Sequence, residues 1–340
     1  MRIDRLANYD YQDAQLISRV LNLYYVEELT QAEVGRRLGL STAKVNRLLK
    51  QAHQSGMVEI NIHTPFQHLF DLESRLKAIF GIADVVVIPP VAQDPETFPY
   101  TLGRAAANYL LERLRDGDVI GVGGGTGVYS VVRALDPSRS YDVTIVPMIG
   151  AVQGRVTTDV NYLAAQMAER LGGKAYQLHA PAFAETKEQR DTLKRMGPIK
   201  EILDIARQAN IAVLGVGTVD AEQSRFVEFT ALSREDLEQV ASACGGVGEV
   251  LAYVYNRQGQ PCAEEYADRV VGLTLQELQR IPAIIGVAAT ASKALPVYGA
   301  LRGSHIRSLV TDEAAAKGVL QIFEGEFQGK NPEMLQGVAA

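Results

Sequence analysis

Apolar residues recur with helical spacing along the first part of the chain. Over Ala14–Tyr25 they fall at every third or fourth position, which predicts a first helix. A second helix is predicted to begin after Thr30, with Glu33 completing a capping box, and to end at Gly39. Ser41 is predicted to cap a third helix. The chain therefore opens with a group of short helices.

The third predicted helix has an apolar face, and its inward residues are expected to be Val45, Leu48 and Leu49. Beyond it, Val58–Ile62 alternates apolar and polar residues, which predicts a half-buried strand and a candidate wing beside the helices. A linker is predicted at 63–70, because Pro65 excludes a continuing helix or strand ladder.

A further helix is predicted next, with an apolar stripe at Leu69, Leu72, Leu76 and Ile79. Two interpretations of this stripe stay open. It either docks on the domain that follows or forms the seam of a dimer, since so short a stripe cannot specify a coiled coil.

From about Asp84 onward, β-rich runs alternate with helical segments. Strands are predicted at Val85–Ile88, Val119–Val122, Val143–Met148, Ile211–Val216, Val250–Tyr255, Ile284–Ala288 and Ser308–Thr311. Helices are predicted between most of them, at Gly103–Leu114, Asn161–Leu171 and Ile199–Gln208. Several strands are continuous apolar runs, as expected when helices cover both faces. The pattern predicts a doubly wound, mostly parallel α/β fold.

Length and composition predict a two-domain cytoplasmic protein. The chain has 340 residues, of which 47% are hydrophobic and 22% are charged, as in ordinary globular proteins. The first residues are charged and lack an apolar core, and no apolar run is long enough to cross a bilayer, so no membrane partner is expected. Cys244 and Cys262 have no metal-ligand spacing and are expected to be reduced thiols.

The distribution of charge sets the helical part apart from the rest. The whole chain has a net charge of −6, with 34 Lys and Arg residues against 40 Asp and Glu residues. Between Thr30 and His53 the sign inverts, because five basic residues outnumber the single acidic residue, Glu33. Such clustering is the electrostatic footprint of a phosphate-binding face.

Two short helices joined by a glycine turn have the geometry of a helix-turn-helix, whose second helix enters the major groove of DNA. With its apolar residues turned inward, the third helix presents polar residues that suit base edges and phosphates. The predicted contacts to double-stranded DNA are Thr30, Gln31, Ser41, Thr42, Lys44, Asn46, Arg47 and Lys50. The alternative is a packing helix pair with a solvated basic face.

A glycine-rich turn, Gly123–Gly127, follows the predicted strand Val119–Val122 and leads into a helical segment. Glycines let the backbone approach a ligand, and a helix N-terminus attracts an anion. The predicted ligand group at this turn is therefore a phosphate or a carboxylate. A dinucleotide fits less well, because no acidic residue ends the next strand. A merely structural tight turn is the alternative.

Other polar residues of the α/β part are further ligand candidates. Glu249 follows a glycine-rich run, and its carboxylate suits paired hydroxyl groups of a sugar. Lys293 lies just after a predicted strand, at the start of a short helix, and is the candidate charge partner of a phosphate. Asn161 and Arg190 occur in polar surroundings and complete the set. No catalytic residue, metal site or cofactor is predicted.

Several segments, in this order and spacing, make the chain resemble the SorC family of sugar-binding transcriptional regulators over nearly its whole length. They include Tyr24-Tyr25, Leu29-Thr30-Gln31, Val45–Leu49, Gly121-Val122-Gly123, Ala180–Phe183, Arg190-Asp191, Lys293-Ala294 and Leu309–Glu313. The resemblance implies an effector domain related to phosphosugar isomerases, a tetramer, a palindromic operator and a phosphorylated sugar as effector. It also implies a pocket at Gly123, Gly125, Thr126, Glu249 and Lys293.

The chain departs from the family pattern near that pocket. Gly124 and Gly127 stand where the family commonly carries Trp and a second Ser or Thr, and Ala289-Thr290 replaces a Gly-Gly pair. A basic residue often found around Ile149-Gly150 is absent. An unphosphorylated polyol therefore stays open as the effector.

Three regions follow from these patterns: a winged helix-turn-helix at 1–64, a linker and oligomerisation helix at 65–83, and an α/β effector domain at 84–330. The predicted function is a DNA-binding regulator whose operator affinity a sugar, sugar phosphate or polyol controls. One alternative is a phosphosugar isomerase or deaminase that uses Glu249 and Lys293. A nicotinamide-dependent oxidoreductase is the other.

Overall fold

The computed structural model describes residues 11–58, 64–90, 98–152, 158–220, 222, 224 and 234–327. The candidate wing, Val58–Ile62, lies outside these ranges beyond its first residue. The chain divides into two compact units, Met1–Pro65 and Phe66–Ala340. Each unit has a hydrophobic core of its own, so each is described separately.

Within its described residues, the first unit is a group of three α-helices. They are α1 (Tyr11–Leu21), which a π-helical turn at Asn22–Val26 continues, α2 (Gln31–Leu38) and α3 (Thr42–Gln54). Their apolar faces meet in a common core: Ile17, Val20, Leu23, Val34, Val45, Leu48, Leu49 and Ala52. The predicted inner face of α3 is confirmed.

The turn between α2 and α3 is fixed by the predicted caps. The Thr30 N–H donates to Glu33 Oε2 (2.9 Å) and the Glu33 N–H donates to Thr30 Oγ1 (3.4 Å), which completes the capping box. Gly39 ends α2 in the left-handed region at φ 68°, and Ser41 Oγ accepts the Lys44 N–H (3.2 Å). These contacts satisfy helix-end groups that would otherwise lack partners.

The second unit contains alternating strands and helices. Its described strands are β1 (Asp84–Ile88), β2 (Val119–Val122), β3 (Thr144–Pro147), β4 (Lys174–Ala175), β5 (Ile211–Gly215), β6 (Gly217–Thr218), β7 (Gly246–Val250), β8 (Tyr253–Asn256), β9 (Ala283–Val287) and β10 (Ser308–Asp312). Its described helices are α4 (Gln67–Phe80), α5 (Phe98–Leu111), α6 (Thr126–Ala134), α7 (Val160–Leu171), α8 (Lys187–Arg195), α9 (Gly197–Arg207), α10 (Arg234–Cys244), α11 (Glu264–Ala267), α12 (Leu275–Leu278), α13 (Ala294–Arg302) and α14 (Glu313–Phe327).

Seven strands form the main sheet in the order β1-β10-β9-β5-β2-β3-β4, and their pairings are parallel. The central strands are buried along nearly their whole length, so helices cover both faces. The strand order reverses at β2 and β5: β3 and β4 follow on one side, β9 and β10 on the other. Open α/β sheets bind ligands beyond the carboxyl ends of the strands at such a switch point. The predicted doubly wound α/β fold is confirmed.

The apolar stripe of α4 packs on the second unit itself. Leu69, Leu72 and Leu76 are buried in the core that also contains the main sheet. This agrees with the first of the two interpretations, in which the stripe docks on the domain that follows. The outer face of the same segment keeps Phe66 and Phe70 exposed, at 49% and 52%.

The prediction of a single strand at Val250–Tyr255 is wrong, because these residues contain the tip of a hairpin. β7 and β8 pair antiparallel across a turn formed by Leu251 (φ 47°) and Ala252 (φ 67°). With β6 they make a small sheet separate from the main one. Tight hairpin turns with positive φ usually carry Asn or Gly, so a turn of Leu and Ala leaves no signal in the sequence.

The expectation of two reduced thiols is also wrong, since Cys244 and Cys262 form a disulfide bond. Cys244 ends α10 directly before β7, and Cys262 follows β8. Hairpin pairing brings their Cα atoms to 5.8 Å, although 18 positions separate the two in sequence. That proximity is a product of the hairpin, and the spacing alone does not reveal it.

His305 is buried where α13 meets the segment after β8. Its Nε2 lies 2.8 Å from the Gly259 carbonyl oxygen, and its ring packs on Tyr255 with centroids 5.0 Å apart. Burial lowers the pKa of the imidazole, and the contact with the Gly259 oxygen opposes part of that change. The folded protein therefore favours a neutral His305.

The free energy of unfolding should fall as the pH drops below the ordinary histidine pKa of 6.5, because the unfolded chain binds a proton that the folded chain disfavours. One such proton contributes at most about 1.4 kcal/mol per pH unit. His305→Gln should flatten this slope in urea unfolding measured at several pH values. An unchanged slope in the His305 variant would contradict the assignment.

Candidate functional site

A cavity of about 490 Å³ lies at the switch point, beyond the carboxyl ends of β2, β5 and β9. Aliphatic residues and Phe183 line much of it. Its polar side chains come from α6, β6, β7 and the connecting segments: Thr126, Ser130, Thr158, Thr218, Ser224, Glu249, Thr290 and Lys293. Among these, the charged residues are Glu249 and Lys293, one of each sign. Such a site suits a polar molecule with an apolar face.

The glycine-rich turn after β2 forms one wall. Gly125, at φ 103°, stands before the first turn of α6, and its N–H donates to the Thr158 carbonyl oxygen (3.1 Å). The N–H groups of that first turn have no partners within the helix, so together with the helix dipole they favour an anion. This geometry is what the sequence predicted for the turn.

The departures from the family pattern at 124 and 127 match close backbone packing. A Cβ at Gly127 would lie 3.0 Å from the Val287 carbonyl oxygen, and a Cβ at Gly124 would lie 3.2 Å from that of Thr158. Larger residues at these positions would require the neighbouring backbone to move. The turn therefore offers backbone groups, with Thr126 as its hydroxyl, in place of further side-chain donors.

Glu249 reaches the cavity from β7. Its Oε2 accepts the Ala252 N–H (3.0 Å), and its Oε1 lies over Gly217, where a Cβ would overlap the carboxylate. Burial raises the pKa of the Glu249 carboxyl, and the Ala252 N–H and the Lys293 ammonium oppose the rise. A half-buried carboxylate held in this way can accept hydrogen bonds from ligand hydroxyl groups.

Lys293 ends a single turn of 3₁₀ helix, Ala291–Lys293, that follows β9. Its N–H donates to the Thr290 carbonyl oxygen (2.9 Å). Thr290 has φ 88°, a conformation that favours glycine, and its N–H donates to Asp312 Oδ1 (3.0 Å). The lysine thus enters the cavity from a tightly held turn, opposite in charge to Glu249.

Five of the seven predicted ligand residues meet in this cavity, namely Gly123, Gly125, Thr126, Glu249 and Lys293. Asn161 and Arg190 are not among its lining residues. Asn161 Oδ1 accepts the Leu178 N–H (2.8 Å), and the Arg190 guanidinium forms ion pairs with Asp191 (2.6 Å) and Asp268 (3.5 Å). The polar groups of Asn161 and Arg190 are therefore engaged in contacts within the protein.

Sequence reasoning missed several lining residues, among them Thr158, Phe183, Ser224 and Leu251. Phe183 ends the Ala180–Phe183 segment, which carries part of the family resemblance. That resemblance could have indicated Phe183 as a lining residue. Leu251 lies in the turn between β7 and β8, whose direction depends on the tertiary fold.

The first unit presents a polar face on α3. Thr42, Asn46, Arg47 and Lys50 are exposed, and Lys44 is half-exposed. The opposite face carries the buried core residues. The hydroxyl groups of Thr30 and Ser41 serve as helix caps. A DNA phosphate at these two positions would therefore contact the backbone N–H groups of the helix N-terminus rather than the side chains.

Two further properties concern the described part of the chain. It contains no cluster of His, Cys, Asp and Glu side chains able to hold a metal ion. None of its helices is long and apolar enough to span a membrane.

Family models match both units. A sugar-binding domain model covers residues 64–321, and a sigma-70 region 4 model covers residues 18–55. The second match falls on the helices with the polar face, and the first contains the cavity.

Relatives match almost the entire chain. The transcriptional regulator LsrR of Enterobacter sp. (strain 638) is 31% identical, with 94% of this chain and 96% of LsrR covered. The erythritol catabolism regulatory protein EryD of Brucella abortus is 29% identical, with 94% of this chain and 99% of EryD covered. The crystal structure of the full-length sorbitol operon regulator SorC from Klebsiella pneumoniae has a TM-score of 0.70 at 27% identity, with 91% of this chain and 99% of SorC covered.

These relatives are transcriptional regulators, and they favour that function over the isomerase and oxidoreductase alternatives. Both of the features that such a regulator needs, a helix-turn-helix and a sugar-binding domain, are matched in one chain. The chain is a DNA-binding regulator and not an enzyme, and it belongs to the SorC family of sugar-binding transcriptional regulators.

Proposed function

We propose that the cavity at the switch point binds the effector, and that occupancy of this cavity changes the affinity of α3 for an operator. The observation that carries the proposal is the convergence of Glu249, Lys293 and the N-terminus of α6 on one cavity. Three segments far apart in sequence, the start of α6, strand β7 and the turn after β9, supply complementary groups there. A merely structural glycine turn would not account for the half-buried carboxylate of Glu249 and for Lys293 in the same cavity.

The effector is a polyhydroxylated chain, carried as a phosphate ester or as a free polyol. The N-terminus of α6 and Lys293 suit a phosphate, and Glu249 suits adjacent hydroxyl groups. The names of two relatives, which refer to erythritol catabolism and the sorbitol operon, support a polyol-like skeleton. Because Gly124 and Gly127 provide no hydroxyl groups to hold a phosphate, an unphosphorylated polyol is the second candidate for the effector.

In the first unit, α3 would lie in the major groove of double-stranded DNA. Asn46 and Arg47 are exposed and of the types that read adenine and guanine, respectively. Thr42, Lys44 and Lys50 would contact phosphates, as would the N-terminus of α2 at Thr30 and Gln31 and that of α3 at Ser41.

We further propose that the protein acts in the cytoplasm as a homotetramer on a palindromic operator. Two-fold symmetry of a helix-turn-helix protein is mirrored in the symmetry of its operator. The exposed pair Phe66 and Phe70, four positions apart at the start of α4, supports an oligomer contact in the 65–83 region. The regions 1–64, 65–83 and 84–330 remain our proposed division by function.

Lys293→Ala should abolish the response to effector and leave operator affinity without effector nearly unchanged, because the lysine lies in the cavity and not in the first unit. The test is a thermal-shift screen of the full chain against erythritol, sorbitol, their monophosphate esters and NAD, followed by operator binding with each compound that binds.

Lys174→Ala, at an exposed position on β4, is the matched control and should behave as wild type. If operator binding by the Lys293 variant responded to the effector as in the wild type, the proposed role of that lysine would be refuted. Turnover of a sugar phosphate by the wild type, without salt-sensitive DNA binding, would refute the regulator itself.

Arg47→Ala should weaken binding to the preferred duplex by about 1–3 kcal/mol and relax discrimination among sequences, if the guanidinium reads a guanine. Fluorescence anisotropy with a duplex selected by the wild-type protein, and with variants of that duplex, measures both effects. Arg36→Ala, on the exposed face of α2, should leave discrimination intact. An equal loss of affinity for all sequences would make Arg47 a phosphate contact instead.

Gly217→Ala should weaken effector binding by about tenfold or more, because its Cβ would displace the Glu249 carboxylate and forfeit a charged hydrogen bond. Titration calorimetry with the compound identified above measures the loss. Gly197→Ala is the matched control, since a Cβ there meets open space. Wild-type affinity in the Gly217 variant would mean that Glu249 does not contact the effector.

A further inference from the structure

Asp312 is a buried acid that neither the cavity lining nor the DNA-binding face accounts for. It ends β10 and is 4% exposed. Its Oδ1 accepts two backbone N–H groups, from Thr290 and from Ala315, each at 3.0 Å. One carboxylate oxygen therefore joins the loop after β9 to the first turn of α14.

The loop side of this junction leads directly to the cavity. Thr290 lines the cavity and has φ 88° and ψ 150°, a backbone conformation that residues with a Cβ rarely adopt. Its carbonyl oxygen accepts the Lys293 N–H (2.9 Å). Hydrogen bonds thus run from Asp312 through Thr290 to Lys293, and the acceptor at Asp312 holds the unfavourable conformation in place.

The helix side leads to α4. Glu313, the next residue, lies 3.6 Å from His68 in the first turn of α4 and 2.6 Å from Lys317 within α14. Further along, Arg75 of α4 forms an ion pair with Glu324 of α14. Phe80 packs edge-on against Phe323 of α14, with ring centroids 6.1 Å apart. The helix α4 begins two positions after Pro65, the last residue of the first unit.

We propose that Asp312 is a positioning residue that couples the effector cavity to α4. It holds the Thr290–Lys293 turn on one side and the start of α14 on the other, so a ligand that moves Lys293 also moves α14. Contacts of α14 then pass the change to α4, the segment that leads to the DNA-binding unit. The regulatory meaning of this connection rests on the proposed function, whereas the mechanical connection does not.

A simpler role for Asp312 would be an N-cap of α14 and nothing more. The two roles differ in what happens when the Thr290 contact is lost and the cap is kept. Asp312→Ser makes that separation, because a serine oxygen still caps a helix but is one bond shorter toward Thr290. Asp312→Asn is the matched control, because it keeps an accepting oxygen at full length.

The experiment is amide hydrogen exchange, followed by mass spectrometry, on the full chain without DNA or effector. Asp312→Ser should accelerate exchange about tenfold in peptides covering 286–296 and 66–74, since a hydrogen bond to a charged acceptor protects the first region and α14 links it to the second. Peptides of β2 and α7 should exchange as in the wild type, and Asp312→Asn should restore most of the protection.

Acceleration confined to 286–296, or spread evenly over the second unit, would overturn the proposal. A second pair of variants tests the helix side without touching the buried acid. His68→Ala should accelerate exchange in 66–74 about threefold, whereas Lys317→Ala, which removes the other partner of Glu313, should not. Equal behaviour of these two variants would also overturn it. Because neither measurement uses DNA or a sugar, failure here is distinct from failure of the proposed function.

Discussion

The parallel pairing of β2 with β5 is the constraint on which the cavity at the switch point depends. It places the reversal of strand order at the centre of the sheet, so that the turns after β2, β5 and β9 open at the same edge. The N-terminus of α6, the close approach at Gly217 and the Lys293 turn all follow from that arrangement. Without it, a glycine-rich turn and an isolated lysine would have no common ligand.

Three of the six non-glycine residues with positive φ in the described part of the chain lie at the same place. Leu251, Ala252 and Thr290 have positive φ without being glycine, and all three line the cavity. Two of their N–H groups are held by carboxylates, Ala252 by Glu249 and Thr290 by Asp312. Conformations of this kind persist when surrounding contacts determine them, and they are common at sites that bind ligands or switch. Two acids therefore hold the wall of the cavity: Glu249, which lines it, and Asp312, which is not among its lining residues.

The two units differ in how their charged side chains are placed. The first carries basic side chains on α2 and α3, among them the exposed Arg47 and Lys50, which suits a long polyanion in water. The second places one half-buried carboxylate and one ammonium in the same cavity, which suits a small ligand whose hydroxyl groups and charge must be matched individually. A regulator needs both, because affinity for DNA must be high enough to be useful and sensitive to one metabolite.

What the sequence determined by itself is local. The capping box at Thr30, the inner face of α3 and the glycine turn at Gly125 each depend on residues within one or two helical turns, so their patterns predicted them correctly. Which loops meet was decided by the tertiary structure. Pairing of β7 with β8 joined the two cysteines, and it brings Glu249 to the cavity, which only the family resemblance had implied. Arg190 forms ion pairs with Asp191 and Asp268 and is not among the lining residues of that cavity. Such contacts join residues distant in sequence, and no local pattern encodes them, because their partners are chosen by the packing of the whole sheet.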